Sequence, residues 1–168
     1  MKSKVLYTQA VLTNTQAVLK WFEKETGLNP EEMGWDIHCH HMTIEFFDKK
    51  DKKDLKKKGL PQSLLLESLS GYMGQETTLE VIGYAADEKG MAILVERRGH
   101  ITRHVKNNNP HITIATNGVP PKYSNQLLEN DSLVVKTTGT VNVKVGWKSP
   151  DGKDNFSLPE DYDPTLAL

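Results

Sequence analysis

Two stretches of this chain, Cys39-His40-His41-Met42-Thr43-Ile44-Glu45-Phe46-Phe47 and Asn109-Pro110-His111-Ile112-Thr113-Ile114-Ala115-Thr116-Asn117, share the spelling His-apolar-Thr-apolar. In an extended backbone successive side chains leave on opposite faces, so His41 and Thr43 share one face while Met42 and Ile44 turn to a core. The same alternation sets His111 beside Thr113 and turns Ile112 and Ile114 inward. Each stretch therefore reads as a strand that offers one imidazole and one hydroxyl to a common surface. A single His-x-Thr carries little information, because β-branched residues are enriched in strands. Two of them, 70 residues apart in a chain long enough for two similar halves, carry much more.

The 168 residues fit one domain with room for a core. A formal net charge of −1 argues against a protein that grips long nucleic acid by electrostatics alone, and leaves small or local ligands as partners. One cysteine, Cys39, excludes an internal disulfide framework and a cysteine-rich zinc site, and suits a reducing compartment. No run of about 18 apolar residues is present. Met1-Lys2-Ser3-Lys4 also lacks the apolar segment of a signal peptide, so a cytoplasmic protein without a membrane partner is expected.

Outward from the motifs, residues 5–12 alternate as a strand, with Tyr7 and Gln9 on one face. Thr13 or Asn14 can cap a helix running to Thr26, with Ala17, Val18, Trp21 and Phe22 as its apolar stripe and Gly27 just past its end. Asn29-Pro30-Glu31-Glu32 turns the chain into the first motif strand, taken as residues 35–47. Residues 49–58 carry seven Lys and two Asp and read as a solvated loop. Leu64, Leu65, Leu66, Leu69 and Tyr72 mark a short buried segment, strand or helix. Residues 77–85 and 91–96 form a hairpin about a glycine-containing loop, and 100–107 one or two helical turns halted by Asn107-Asn108-Asn109-Pro110. After the second motif strand, Ser124 or Asn125 can cap a short helix through Leu128. Residues 133–147 are rich in Thr and Val around Gly139 and predict two short strands or one bulged strand. The domain is expected to end at 148, with an irregular tail over 149–168.

Strand, helix and motif strand are thus followed by hairpin, short helix and motif strand. This coarse symmetry predicts an α+β domain in which two antiparallel sheets face each other across a central cleft, one motif strand on each and helices outside. A ligand belongs in the cleft.

Phosphodiester hydrolysis needs a base for the attacking water or hydroxyl and an acid for the departing oxygen. Imidazole, with an ordinary pKa of about 6.5, serves in either role. His41 and His111 on either side of one phosphate supply both, without metal or cofactor. Thr43 and Thr113 can donate to the non-bridging oxygens as their charge grows. The near-symmetry of the motifs leaves open which histidine is the base. A metal site from His38, His40 and His41 would need ligands from both faces of one strand, since His38 and His40 have the opposite parity to His41. His100 and His104 lack the glutamate of a His-Glu-x-x-His pattern and read as surface residues. Lys122 follows the second motif closely enough to approach a phosphate, while Ser124 and Asn125 read as caps.

The strings Cys39-His40-His41-Met42-Thr43-Ile44 and Pro110-His111-Ile112-Thr113-Ile114-Ala115, the latter followed by Pro121-Lys122-Tyr123-Ser124-Asn125, resemble the twin motif of the two-histidine (2H) phosphoesterase superfamily. That superfamily includes RNA ligase-like phosphodiesterases and the cyclic phosphodiesterase domain of fungal tRNA ligase. The branch most similar is that of stand-alone RNA-repair-like proteins, and the spacing also resembles that of phage anti-CBASS enzymes, which destroy cyclic-nucleotide signals. The resemblance spans residues 5–147. It implies His41 and His111 as the acid–base pair, Thr43 and Thr113 as phosphate-binding hydroxyls, and a base-stacking aromatic, with Tyr7 the first candidate and Trp147 the second. It implies a nucleotide or oligonucleotide substrate, no cofactor and no obligate protein partner. The ligase and kinase domains of the fungal relative are not in this sequence, which favours a small cyclic signal over an RNA-end 2′,3′-cyclic phosphate as substrate. A non-catalytic module that holds nucleotides or RNA ends is the competing class, and binding alone does not need two titrating imidazoles.

Overall fold

Capping chemistry defines the first helix, α1 (Thr15–Thr26). The Asn14 side chain accepts a hydrogen bond from the Ala17 backbone N–H at 3.0 Å, and Gly27 takes φ of 75°, a left-handed turn that glycine adopts without strain. Val18, Leu19 and Phe22 are its buried residues, so Leu19 takes the core place expected for Ala17, which is exposed. Residues 5–46 and 71–158 are described in this computed structural model. The lysine run of 49–58, the four leucines of 64–69 and the tail beyond 158 lie outside the described residues.

The described strands are β1 (Tyr7–Leu12), β2 (Asp36–Ile37), β3 (His41–Phe46), β4 (Glu76–Ala86), β5 (Gly90–Val95), β6 (His111–Thr116), β7 (Val135–Lys148) and β8 (Asp154–Asn155). They form one antiparallel sheet in the order β2-β6-β5-β4-β7-β1-β3, with β8 alongside β7. The expected pair of sheets is therefore one continuous sheet. Its spine is the long pairing of β4 with β7, from Glu76 opposite Lys144 to Tyr84 opposite Val135, which joins the two halves without a break. The sheet curls until β3, at one edge, comes up against β6, next to the other. Between Val81/Gly83 and Gly139/Lys136 the strand β7 carries one extra residue, so residues 133–147 resolve to one bulged strand. Gly139 is required there because a Cβ would lie 2.8 Å from the Trp21 indole.

The first motif stretch is not one strand. Its start, β2, pairs with β6, and its end, β3, pairs with β1 on the far side of the curl. Residues 38–40 make the crossing. The backbone N–H groups of His38 and Cys39 both donate to the Ile114 carbonyl (2.9 and 3.1 Å), while the His40 carbonyl accepts from Leu12 N–H (2.8 Å). Three residues thus tie the two edges together. Alternation alone could not reveal this, because extended backbone looks the same whichever strand it pairs with.

The main core lies on the face opposite the cleft and includes Ala10, Phe22, Met42, Ile44, Ile93, Ile112, Ile114 and Val143. Met42, Ile44, Ile112 and Ile114 point inward as the alternation predicted, each burial contributing about 1.5–3 kcal/mol. Cys39 is buried, which pushes its thiol up to about 12 and keeps it from acting as a nucleophile. A second cluster forms where Ala85 and Ala92, opposite each other in the hairpin, leave room for Leu127 and Leu128 of helix α2 (Tyr123–Glu129). No side chain caps α2. Lys122 holds the N-cap position, and Ser124, expected as a cap, lies inside the first turn. The tail expected to be irregular turns at 149–152 and adds β8 to the sheet.

Candidate active site

Both histidines and both threonines of the motifs line one cleft of about 900 Å³, together with Tyr7, His40, Phe46, Lys106, Lys122 and Lys148. Sheet curvature is what brings them there, since β3 and β6 are far apart in the order of strands.

His41 is held at both ring nitrogens. Nδ1 lies 2.9 Å from His40 Nδ1, and Nε2 lies 3.1 Å from the Thr43 hydroxyl. His40 in turn meets Asp154 Oδ2 through Nε2 at 2.9 Å. The other carboxylate oxygen of Asp154 accepts from Gln9 Nε2 at 2.8 Å and from Lys148 Nζ at 2.7 Å. Burial, then repulsion from Lys148 and from His40 when its ring is protonated, push the His41 imidazole down to about 4 against an upward pull from Asp154, and His111 adds a further push down. Burial raises the Asp154 carboxyl, but the hydrogen bonds from Lys148, Gln9 and His40 outweigh it and hold the group at about 2.

His111 is held differently. Its Nδ1 donates to the Asn109 backbone carbonyl at 2.7 Å, and Thr113 pairs with the Ser124 hydroxyl (2.8 Å) and donates to the Pro121 carbonyl (3.4 Å). Burial pushes His111 below its ordinary value, and the bond to Asn109 pulls it back up.

Aromatic groups form one wall. Tyr7 stacks on the His41 ring (5.1 Å between centroids, 18° between planes) and on Phe46 (5.9 Å, 24°). Phe46 is 48% exposed and reaches this face because β3 carries an extra residue, Ile44, between the partners of Thr8 and Gln9. Strict alternation would have turned it to the core. Asn107 donates to Asn125 at 2.5 Å across the opposite wall.

A model of the fungal tRNA ligase phosphodiesterase domain matches residues 29–148. The chain belongs to that family. As a fungal tRNA ligase phosphodiesterase-type domain it is a 2H phosphoesterase, and both motifs fall within the matched region. Tyr7 and Asp154 fall outside it. Comparison with curated proteins gives no significant match.

Measured against the family motif, the cleft unites His41, Thr43, His111, Thr113, Tyr7 and Lys122. Trp147 is not with them. It is only 6% exposed, and its Nε1–H donates to the Ser157 carbonyl at 2.8 Å, so it packs away from the cleft beneath the segment that carries Ser157. The parity argument for His38 and His40 also fails, since the chain is crossing between strands there and His38, His40 and His41 all line the cleft. His38 bonds Thr116 at 2.9 Å, and among the described residues no group of three or more His, Cys, Asp or Glu is arranged to hold a metal. His100 and His104 lie away from the cleft. Residues missed by sequence reasoning are His40, Phe46, Lys148, Ser124 and Asp154. A histidine beside the motif histidine was the one available signal; nothing local marks Asp154. No helix among the described residues is long and apolar enough to cross a membrane.

Proposed function

We propose that this domain is a 2′,3′-cyclic phosphodiesterase acting on RNA or nucleotide ends. The observation that carries this reading is the convergence of His41, Thr43, His111 and Thr113 on one cleft in a phosphodiesterase-family domain. The cyclic phosphate sits between the imidazoles, and its non-bridging oxygens take hydrogen bonds from Thr43 and Thr113. As substrate enters, the Thr43 hydroxyl turns from His41 Nε2 to the phosphate, which frees that nitrogen for water. One imidazole removes a proton from water as its oxygen bonds to phosphorus, and the other protonates the ribose oxygen as its bond to phosphorus breaks. The product is a phosphomonoester. Lys106, Lys122 and Lys148 add positive charge around the anion, and the exposed Phe46 ring, backed by Tyr7, offers a platform for the nucleobase. The expectation of a small cyclic signal, which rested on the ligase and kinase domains not being in this sequence, gives way here to the 2′,3′-cyclic phosphate that the phosphodiesterase family favours.

Incubating the protein with a chelator and a panel of 2′,3′-cyclic mononucleotides, oligoribonucleotides ending in 2′,3′-cyclic phosphate and cyclic dinucleotides tests the proposal. Ring opening of the first two classes is expected. Cleavage confined to cyclic dinucleotides would move the assignment to signal degradation, and binding without cleavage would make the domain a sequestering module.

A further inference from the structure

We propose that His40 and Asp154 are positioning residues that hold His41 in the tautomer with hydrogen on Nδ1 and a free lone pair on Nε2, the form in which it serves as the general base opposite His111 as the acid. The inference rests on the cyclic phosphodiesterase reading for its catalytic meaning, and on a hydrogen-bond chain for its direction.

The chain can be followed atom by atom. An ionised carboxylate only accepts, so at the 2.9 Å contact with Asp154 Oδ2 the hydrogen belongs to His40 Nε2. With that one proton on its ring, His40 keeps its lone pair on Nδ1. At the 2.9 Å contact between the two Nδ1 atoms the hydrogen therefore belongs to His41. That leaves Nε2 of His41 unprotonated, and the Thr43 hydroxyl, 3.1 Å away, is its donor in the resting protein. When Nε2 takes the proton of water, the imidazolium keeps its Nδ1–H bond to His40, whose ring Asp154 holds in place. The groups facing His41 are Tyr7 from β1, His40 from the crossing, Lys148 from β7, Asp154 from β8 and His111 from β6. Low basicity in this surrounding keeps His41 unprotonated and ready at neutral pH. His111 has no such side-chain partner, since its Nδ1–H is spent on a main-chain carbonyl that no proton transfer can invert. Asp154 lies outside the region that the family model matches and reaches His40 because β8 pairs with β7.

The surroundings of Asp154 make an informative variant available. Its Oδ1 side faces two donors, Gln9 Nε2 and Lys148 Nζ, and its Oδ2 side faces His40. In Asp154→Asn the amide oxygen must stay with the two donors, so the amide N–H₂ turns to His40 Nε2 and forces it to accept. His40 then carries hydrogen on Nδ1, and His41 is driven into the opposite tautomer with Nε2 blocked. In Asp154→Ala the ring loses its anchor but nothing inverts it.

The test is kinetic and spectroscopic. With a 2′,3′-cyclic substrate, Asp154→Asn is expected to lower kcat by between about 10-fold and about 10⁴-fold with KM little changed, the range spanned by outer-shell histidine partners and inverted tautomers. Asp154→Ala should retain more activity than Asp154→Asn, the reverse of the order that a purely structural role predicts. Nitrogen-15 NMR of the imidazoles, with His41 assigned by its loss in His41→Gln, should give the Nδ1–H pattern for the native protein at neutral pH and the Nε2–H pattern in Asp154→Asn. An Nε2–H pattern in the native protein, or an Asn variant as active as the native protein, overturns the proposal. If the native protein cleaves no member of the substrate panel, the phosphodiesterase reading fails, and the tautomer of His41 is still read from the resting protein.

Discussion

Strands β3 and β6 spell the same four-residue pattern and present it to the same cleft, yet their histidines are anchored by different kinds of partner. His111 gives its Nδ1–H to the Asn109 carbonyl, a fixed main-chain acceptor. His41 shares its Nδ1 contact with His40, a side chain whose proton can sit on either nitrogen and which is itself held by Asp154. The threonines differ as well. Thr43 turns to its own histidine, whereas Thr113 turns to Ser124 on α2. The motif thus supplies the reacting groups, and the layer behind it makes one motif strand unlike the other.

The largest expected effect tests that inequality directly. His41→Ala and His111→Ala should each lower turnover by about 10²–10⁴-fold on a 2′,3′-cyclic substrate, the usual scale for a lost acid or base. A phosphodiester with a nitrophenyl leaving group needs no proton on departure, so it should restore most of the loss in His111→Ala and little of it in His41→Ala. Equal restoration in both would erase the distinction between the strands. Next come the hydroxyls. Thr43→Ala should cost about 10²-fold in kcat, as for one lost oxyanion donor. Thr113→Ala should cost less, because the Ser124 hydroxyl lies 2.8 Å from Thr113 and can donate in its stead. A double variant that also removes the Ser124 hydroxyl should bring the second strand down to the level of the first.

A smaller effect belongs to the aromatic wall, which only the first strand carries. Phe46→Ala should raise KM by about 10-fold with a lesser effect on kcat, in keeping with the worth of one base stacked on an aromatic ring. A change confined to kcat would argue that Phe46 acts through Tyr7 on His41 instead. Finally, the pH dependence of kcat/KM in the free enzyme should be a bell on the acid side of neutrality. Activity rises as His41 loses its proton at about 4, and it falls as His111 loses its own at a value below the ordinary one. In Asp154→Ala the rising limb should move down, because Asp154 pulls the His41 pKa up. A bell centred well above pH 7 would contradict the assignment of both groups.

Much of this was legible in the chain itself. Helix α1 was readable from Asn14 and Gly27, the hairpin of β4 and β5 from its glycine-bearing loop, and the inward set of Met42, Ile44, Ile112 and Ile114 from simple alternation, because each of these signals is local. Alternation misled where the pairing was irregular. The crossing at residues 38–40 turns His38 and His40 to the cleft that His41 lines, and the bulge at Ile44 turns Phe46 outward, and neither event leaves a mark on the pattern of apolar residues.

By itself, the sequence determined the reacting groups: two imidazoles and two hydroxyls on extended segments, with a core behind each. Only the tertiary structure decided that one curled sheet would bring those segments together, that Trp147 would face the core, and that Asp154, 114 residues from His40, would stand at the end of the chain that orients His41. The physical reason is that a side chain's direction follows from its own backbone, whereas the partner it meets depends on strand pairing across the whole fold.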